Sequence, residues 1–174
     1  MCLEDKMDLA SEKAMDEFES YLRREPSKPN EYMKAGIEFE KDCYEGKTCV
    51  SPIIEGGAFQ IVGKKKVEVS GRKFLMYGRL DVLKGGVIYD IKRVVKYSAQ
   101  KYLHSAQHGF YLDLFPRANR FEYLAYDGAK LHVETYYRGQ YRPTVGVIAD
   151  FVSWLSERPE LMREYEEKWK AKGE

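Results

Sequence analysis

No run of about 18 apolar residues occurs in the chain, so no transmembrane helix is expected. The N-terminus, MCLEDKMDLA, lacks the basic, then apolar, then cleavable order of a secretory signal. Cysteine is scarce: Cys2, Cys43 and Cys49 are odd in number and irregular in spacing, with no CxxC pair. That argues against a disulfide framework and against a zinc site built from cysteine. A net charge of +1 supplies no global basic field to advertise nucleic acid. No internal repeat or low-complexity segment stands out. What remains, 174 residues with 44% hydrophobic and 33% charged, reads as one soluble globular domain spanning 1–174. A cytoplasmic protein with no membrane partner is the expectation.

The charge is uneven. Residues 4–20 are acidic, whereas KRVVKYSAQK at 92–101 carries Lys92, Arg93, Lys96 and Lys101 with no acid. Such a stretch is either an ordinary solvated face or a surface that holds a phosphate backbone.

Hydrophobic periodicity predicts a helix over 7–24, ended by Pro26. Pro29 is expected in the first turn of a second helix that stops near Gly46. Segments AFQIVG, KKVEVSG, KFLMYGRLDVL and GVIYDIKRV, rich in β-branched and aromatic residues, predict three or four strands over 58–92. A helix over 98–114, capped by Ser98 and ended before Pro116, follows. Strands at 120–126 and 130–137 are joined at Asp127-Gly128, a hairpin signal. The tail from 144 to 171 is helical, broken near Pro159. This order predicts an α/β domain with a mixed β-sheet flanked by helices, its core about 30–137 and helical flanks at 1–25 and 144–174.

The informative segment is Gly78-Arg-Leu-Asp81-Val-Leu-Lys-Gly-Gly-Val-Ile-Tyr-Asp90-Ile-Lys92. If Gly85-Gly86 is a two-residue turn, Asp81 falls directly opposite Asp90 on one sheet face. Alternation then sets Lys92 beside Asp90 and turns Ile91 away. Like charges across a sheet repel, so the pair makes sense around a cation. A hard divalent ion takes one or two carboxylates with water and substrate phosphate, and activates that water. The lysine can stabilise developing negative charge. Against this stands the plain alternative of ion pairs, Asp81 with Arg79 or Lys84 and Asp90 with Lys92.

These residues resemble the PD-(D/E)xK nuclease superfamily, in the branch of recombination-helicase nuclease domains (RecB-type) and phage exonucleases. The match comprises Gly78-Arg-Leu-Asp81, then Asp90-Ile-Lys92, then Gln107-His-Gly-Phe-Tyr111 as a Q-x-x-x-Y element, and upstream Gly36-Ile-Glu-Phe-Glu40. It spans about 36–111, and the motifs occur in the family's order. Leu80 stands where the family often has proline, and three cysteines cannot build the four-cysteine iron–sulfur cluster of some relatives.

The resemblance implies a restriction-endonuclease-like core and Mg²⁺- or Mn²⁺-dependent hydrolysis of DNA phosphodiesters, with exonuclease action favoured. Metal would be held by Glu40, Asp81, Asp90 and the Ile91 carbonyl, with Lys92 assisting the attacking water. Glu38 competes with Glu40; the family spacing favours Glu40. Gln107 and Tyr111, four apart on one helix face, would hold DNA with Arg93, Lys96 and Lys101. Recombination, repair or phage DNA processing is the implied setting. The chain would act alone, as a homo-oligomer, or with a recombination or replication partner. A nuclease-like fold that binds nucleic acid without catalysis, a structure-selective endonuclease, and an interaction protein whose acids form ion pairs are the alternatives.

Other residues carry weaker expectations. His104 and His108, four apart, could ligate zinc but have no adjacent glutamate for an HExxH mechanism. Tyr97, Tyr102 and Tyr111 could stack on bases. Tyr136 and Tyr137 read as sheet residues, and Lys64-Lys65-Lys66 as a turn.

Overall fold

The computed structural model describes residues 12–26 and 28–169. The chain forms an α/β domain: helices α1 (Glu12–Leu22), α2 (Glu31–Tyr44) and α3 (Ser51–Ile54), then strands β1 (Ala58–Val69), β2 (Arg72–Lys84) and β3 (Val87–Arg93). Helices α4 (Ala99–Leu103) and α5 (Gln107–Leu114) lead to strands β4 (Arg120–Tyr126) and β5 (Leu131–Tyr137). Helices α6 (Thr144–Ser156) and α7 (Pro159–Lys168) close it. The sheet has five strands in the order β1-β2-β3-β4-β5. Only β3 and β4 run parallel, so the sheet is mixed. Helices α4 and α5 make the crossover that a parallel pair requires. Among the described residues no helix is long and apolar enough to cross a membrane.

Burial explains the order of strands. Every residue from Val87 to Ile91 is buried, as befits a central strand covered on both faces. On one face, Cys43, Val50 and Ile54 of the α2–α3 region pack on Val82, Val87, Tyr89, Ile91 and Leu124. On the other, Tyr102 and Leu112 of α4 and α5 pack on Leu80, Ile88, Phe121 and Tyr123. Each fully buried aliphatic or aromatic side chain contributes roughly 1.5–3 kcal/mol. A separate cluster joins α1 to α6 and α7 through Phe18, Leu22, Trp154, Leu155 and Met162.

Several expectations need correction. Pro29 lies before the helix: Asn30 caps α2 by accepting from Met33 N–H at 2.9 Å, a role proline cannot fill. Gly46, at φ +82°, does end the helix where expected. The two segments at 58–69 are one strand, so the count is three, and Lys64-Lys65-Lys66 lies inside β1 rather than in a turn. The turn is Ser70-Gly71, with both φ values positive. The 98–114 helix is two helices. Ser105 Oγ accepts from Gln107 N–H at 3.2 Å between them, and Ser98 makes no capping bond. The β4–β5 connection runs over four residues, 127–130, one more than the expected strand bounds leave, and Asp127 Oδ1 accepts from both Ala129 and Lys130 N–H. The part of the first predicted helix before residue 12, and Cys2, lie outside the described residues.

Candidate active site

The β2–β3 hairpin turns at Gly85 and Gly86, φ +57° and +78°, as a two-residue turn with both central φ positive demands. Its ladder follows the expected register: Lys84 opposite Val87, Leu83 opposite Ile88, Val82 opposite Tyr89. It then stops. The expected fourth pair, Asp81 opposite Asp90, is not formed as a ladder pair. Asp81 Oδ2 instead accepts the Ile91 backbone N–H at 2.8 Å. Beyond this point β2 continues with β1 alone, while β3 continues with β4 as far as Arg93 opposite Tyr126. The strands fork, and the aspartates sit at the fork.

The reason is a slip in side-chain phase. Residues three apart on a regular strand point to opposite faces. Leu80 and Leu83 nevertheless pack into the same core cluster, and Val82 into the opposite one. On β1, Phe59 contacts Tyr44 on the α2 face whereas Ile61, two residues on, packs on the α5 face. Gln60 lies between them at φ +54°, and the Gln60–Asp81 position is missing from an otherwise continuous ladder. Both strands change phase together there, which frees Asp81 from regular pairing.

Asp90 is 5% exposed. Its Oδ1 accepts from Gln107 Nε2 at 2.7 Å and from Lys92 Nζ at 3.0 Å. Lys92 Nζ also lies 2.8 Å from Oδ2, but without hydrogen-bond geometry, and Oδ2 accepts no hydrogen bond. Burial raises the Asp90 pKa, with Lys92 opposing. Burial, and then the Asp90 charge, pushes Asp81 up to about 7. Burial works to lower the pKa of Lys92, but Asp90 outweighs it and the ammonium is held more firmly. Ile91 packs into the opposite core, as alternation predicts. The fork therefore holds two desolvated carboxylates against one ammonium.

That donor set fits a hard divalent cation. It has two carboxylates, one with a buried oxygen lacking a hydrogen bond, and each destabilised in its charged form. The expected triad is not drawn together around one point, however: among the described residues no three His, Cys, Asp or Glu side chains form a metal-holding group. Glu40 is near enough for its charge to raise both aspartates. Its Oε1 accepts from Tyr44 hydroxyl at 2.5 Å and Gln60 Nε2 at 2.6 Å. Glu38 is exposed, and nothing ties it to the fork.

The α5 residues line the fork from the other side. Gln107 begins the helix and holds Asp90, and Tyr111, one turn on, donates its hydroxyl to the Arg79 carbonyl at 2.8 Å. Burial, then the two aspartate charges, raises the Tyr111 pKa to about 12. In this arrangement both side chains brace the fork through the Gln107 Nε2 and the Tyr111 hydroxyl. Gly78 lets α5 approach: a Cβ there would come within 3.0–3.1 Å of Phe110, Tyr111 and Leu114.

The histidine pair does not form. His104 ends α4 and is exposed, whereas His108 is buried in α5, stacked on Tyr136 at 4.0 Å, with burial lowering its pKa to about 4. The helix break separates what an unbroken helix would have aligned. Tyr102 is core, not a base platform, and Tyr97 stacks on His132 at 3.9 Å. Tyr136 is buried in the sheet and Tyr137 is exposed on it.

Of the basic residues, Lys96 and Lys101 are exposed. Arg93, also exposed, donates to the Val94 and Tyr126 carbonyls and lies over the Tyr126 ring, which holds the end of the β3–β4 pair. Gln60 and Tyr44 were not among the residues expected from sequence. A left-handed glutamine inside a strand leaves no local signature, since its side-chain partners, Glu40 and Tyr44, lie on a helix distant in sequence.

No protein-family model matches the chain, and no curated protein is detectably similar in sequence. The solved structure of SSO0001 superposes with a TM-score of 0.55 over 70% of this chain, at 15% identity. The chain spans 59% of that structure's length, and the likeness is one of fold.

Proposed function

We propose that this chain is a divalent-metal-dependent nuclease that hydrolyses DNA phosphodiesters at the β2–β3 fork. The observation that carries the reading is Asp90. This buried carboxylate and the second acid beside it set two negative charges against the single ammonium of Lys92, an imbalance that a divalent cation would offset. Glu40, Asp81, Asp90 and the Ile91 carbonyl are the proposed donors for Mg²⁺ or Mn²⁺. Bound there, the ion would polarise a phosphoryl oxygen and lower the pKa of its water.

The chain's own residues supply the rest. Asp81 reaches Ile91 N–H across the fork and thereby fixes the backbone whose carbonyl is a proposed donor. Gln107 and Lys92 orient the Asp90 carboxylate. Lys92, kept protonated by Asp90, offers its ammonium to the phosphate as negative charge develops. Lys96 and Lys101 would hold the backbone of the same strand. A restriction-endonuclease-like core, exonuclease action and a role in recombination, repair or phage DNA processing are the finer readings, resting on the motif resemblance.

The test compares linear with covalently closed circular DNA, with and without Mg²⁺. Linear DNA should be degraded and closed circles spared, and Asp90→Ala and Lys92→Ala should lose cutting while remaining folded. Wild-type rates in both variants would refute the assignment. That no three such ligands converge among the described residues favours a second reading, a nucleic-acid-binding module without chemistry. DNA binding with no cleavage in Mg²⁺, Mn²⁺ or Ca²⁺ would establish that one.

A further inference from the structure

We infer that Gln60 is a positioning residue that aims the Glu40 carboxylate at the metal site, in a strained backbone conformation maintained for that purpose. The inference rests on the proposed metal site.

Three observations converge on Gln60. Its φ of +54° is left-handed, and among the described residues it is the only non-glycine in that region inside a strand; Arg24 and Ser70 lie in turns. Such a conformation costs on the order of 1 kcal/mol and persists only where surrounding structure demands it. Its place in the register is opposite Asp81, at the single gap between Phe59–Val82 and Ile61–Leu80. Its side chain does not stay on the sheet. The amide Nε2 reaches Glu40 Oε1 at 2.6 Å and the Tyr44 hydroxyl at 2.8 Å.

The strained residue thus links the two halves of the candidate site, β2 carrying Asp81 and α2 carrying Glu40. Tyr44 donates to the same Oε1, so amide and phenol grip one oxygen of Glu40 from two directions. With Oε1 held by two donors, Oε2 is the oxygen left to meet a cation or its water. Burial, and then the proton shared with Glu40, raises the Tyr44 pKa, so the phenol stays a donor. A regular β conformation at residue 60 would restore alternation and turn the amide towards the α5 face, away from Glu40. The left-handed backbone at residue 60 is therefore what sets the amide on Glu40.

Gln60→Gly separates the two roles. Glycine adopts the left-handed conformation freely, so the fold is retained and the strain is relieved, while the amide is lost. Isothermal titration with Mn²⁺ is the readout, with thermal melting alongside. Gln60→Gly should bind Mn²⁺ about 10-fold or more weakly than wild type, without a drop in melting temperature. In a Glu40→Gln background the same change should have no further effect, because its action runs through Glu40. Should Gln60→Gly fail to fold, Tyr44→Phe removes the second donor and is expected to weaken Mn²⁺ binding in the same Glu40-dependent way. Equal Mn²⁺ affinity in wild type and variant overturns the inference and leaves the nuclease reading intact, as does an equal loss in the Glu40→Gln background. No Mn²⁺ binding by the wild type overturns both.

Discussion

Gln107 donates its side-chain amide to Asp90 Oδ1 at 2.7 Å, and so a residue 17 positions away in sequence sets the orientation of the most deeply buried acid in the fork. Gln107 is the first residue of α5, and its amide reaches across to β3. An aspartate with only Lys92 to hold it would be free to turn about its side-chain axis. With the amide in place, Oδ1 is held and Oδ2 stays buried beside the Lys92 ammonium.

Replacing Gln107 by alanine should therefore reduce cutting more than it reduces DNA binding. A loss of about 10-fold in kcat is expected, together with a stability cost of roughly 1.5–3 kcal/mol from the lost hydrogen bond to a charged group. Single-turnover cleavage and filter binding on the same preparation check this. A fall in DNA affinity with kcat unchanged would assign Gln107 to the nucleic acid instead.

Asp81 makes stability depend on pH in a definite direction. Its pKa of about 7 in the folded protein stands well above the ordinary carboxylate value. Between those two values the folded state binds the proton that the unfolded state has lost, so stability falls as pH climbs from about 4 to about 7 and levels off above. Asp81→Asn removes this dependence while its amide oxygen can still accept from Ile91. In EDTA the variant should melt close to wild type at pH 4 and above it at pH 8, by about 2–4 °C for each kcal/mol gained. Thermal melts across that range decide the matter; a variant less stable than wild type at pH 8 would show that the ionised carboxylate is not a burden. The same titration requires metal binding to displace a proton near neutrality, so affinity for Mn²⁺ should rise between pH 6 and 8.

Lys96→Ala and Lys101→Ala should weaken DNA binding by similar factors across sequences. Each should reduce the dependence of log K on log salt by about one phosphate contact. Arg93→Ala should behave differently, because its guanidinium is engaged with the Val94 and Tyr126 carbonyls. Its loss should appear chiefly as a lower melting temperature. Salt titrations of binding, set against melting curves for the three variants, distinguish the two classes. An unchanged salt slope for both lysines would remove them from the interface.

Much of the site could be read in the chain because it is local. Gly85-Gly86 fixes a tight turn, the turn fixes the register of the next three pairs, and alternation then assigns Lys92 to the side of Asp90 and Ile91 to the opposite core. Gln107 and Tyr111 keep their one-turn spacing even though the helix is shorter than its periodicity suggested. The helix break itself was hidden, since Ser105 acts through a side-chain bond to the backbone that periodicity does not register.

The sequence by itself determined the α/β order of elements, the hairpin and its first three pairs, and the clustering of acids and lysine on neighbouring strands, because turn chemistry and alternation act over a few residues. Only the tertiary structure decided that β2 and β3 part at Asp81, that Gln60 turns left-handed opposite it, and that Glu40 is held by Tyr44 and Gln60. Those outcomes depend on contacts between segments far apart in the chain, which no short stretch of sequence contains.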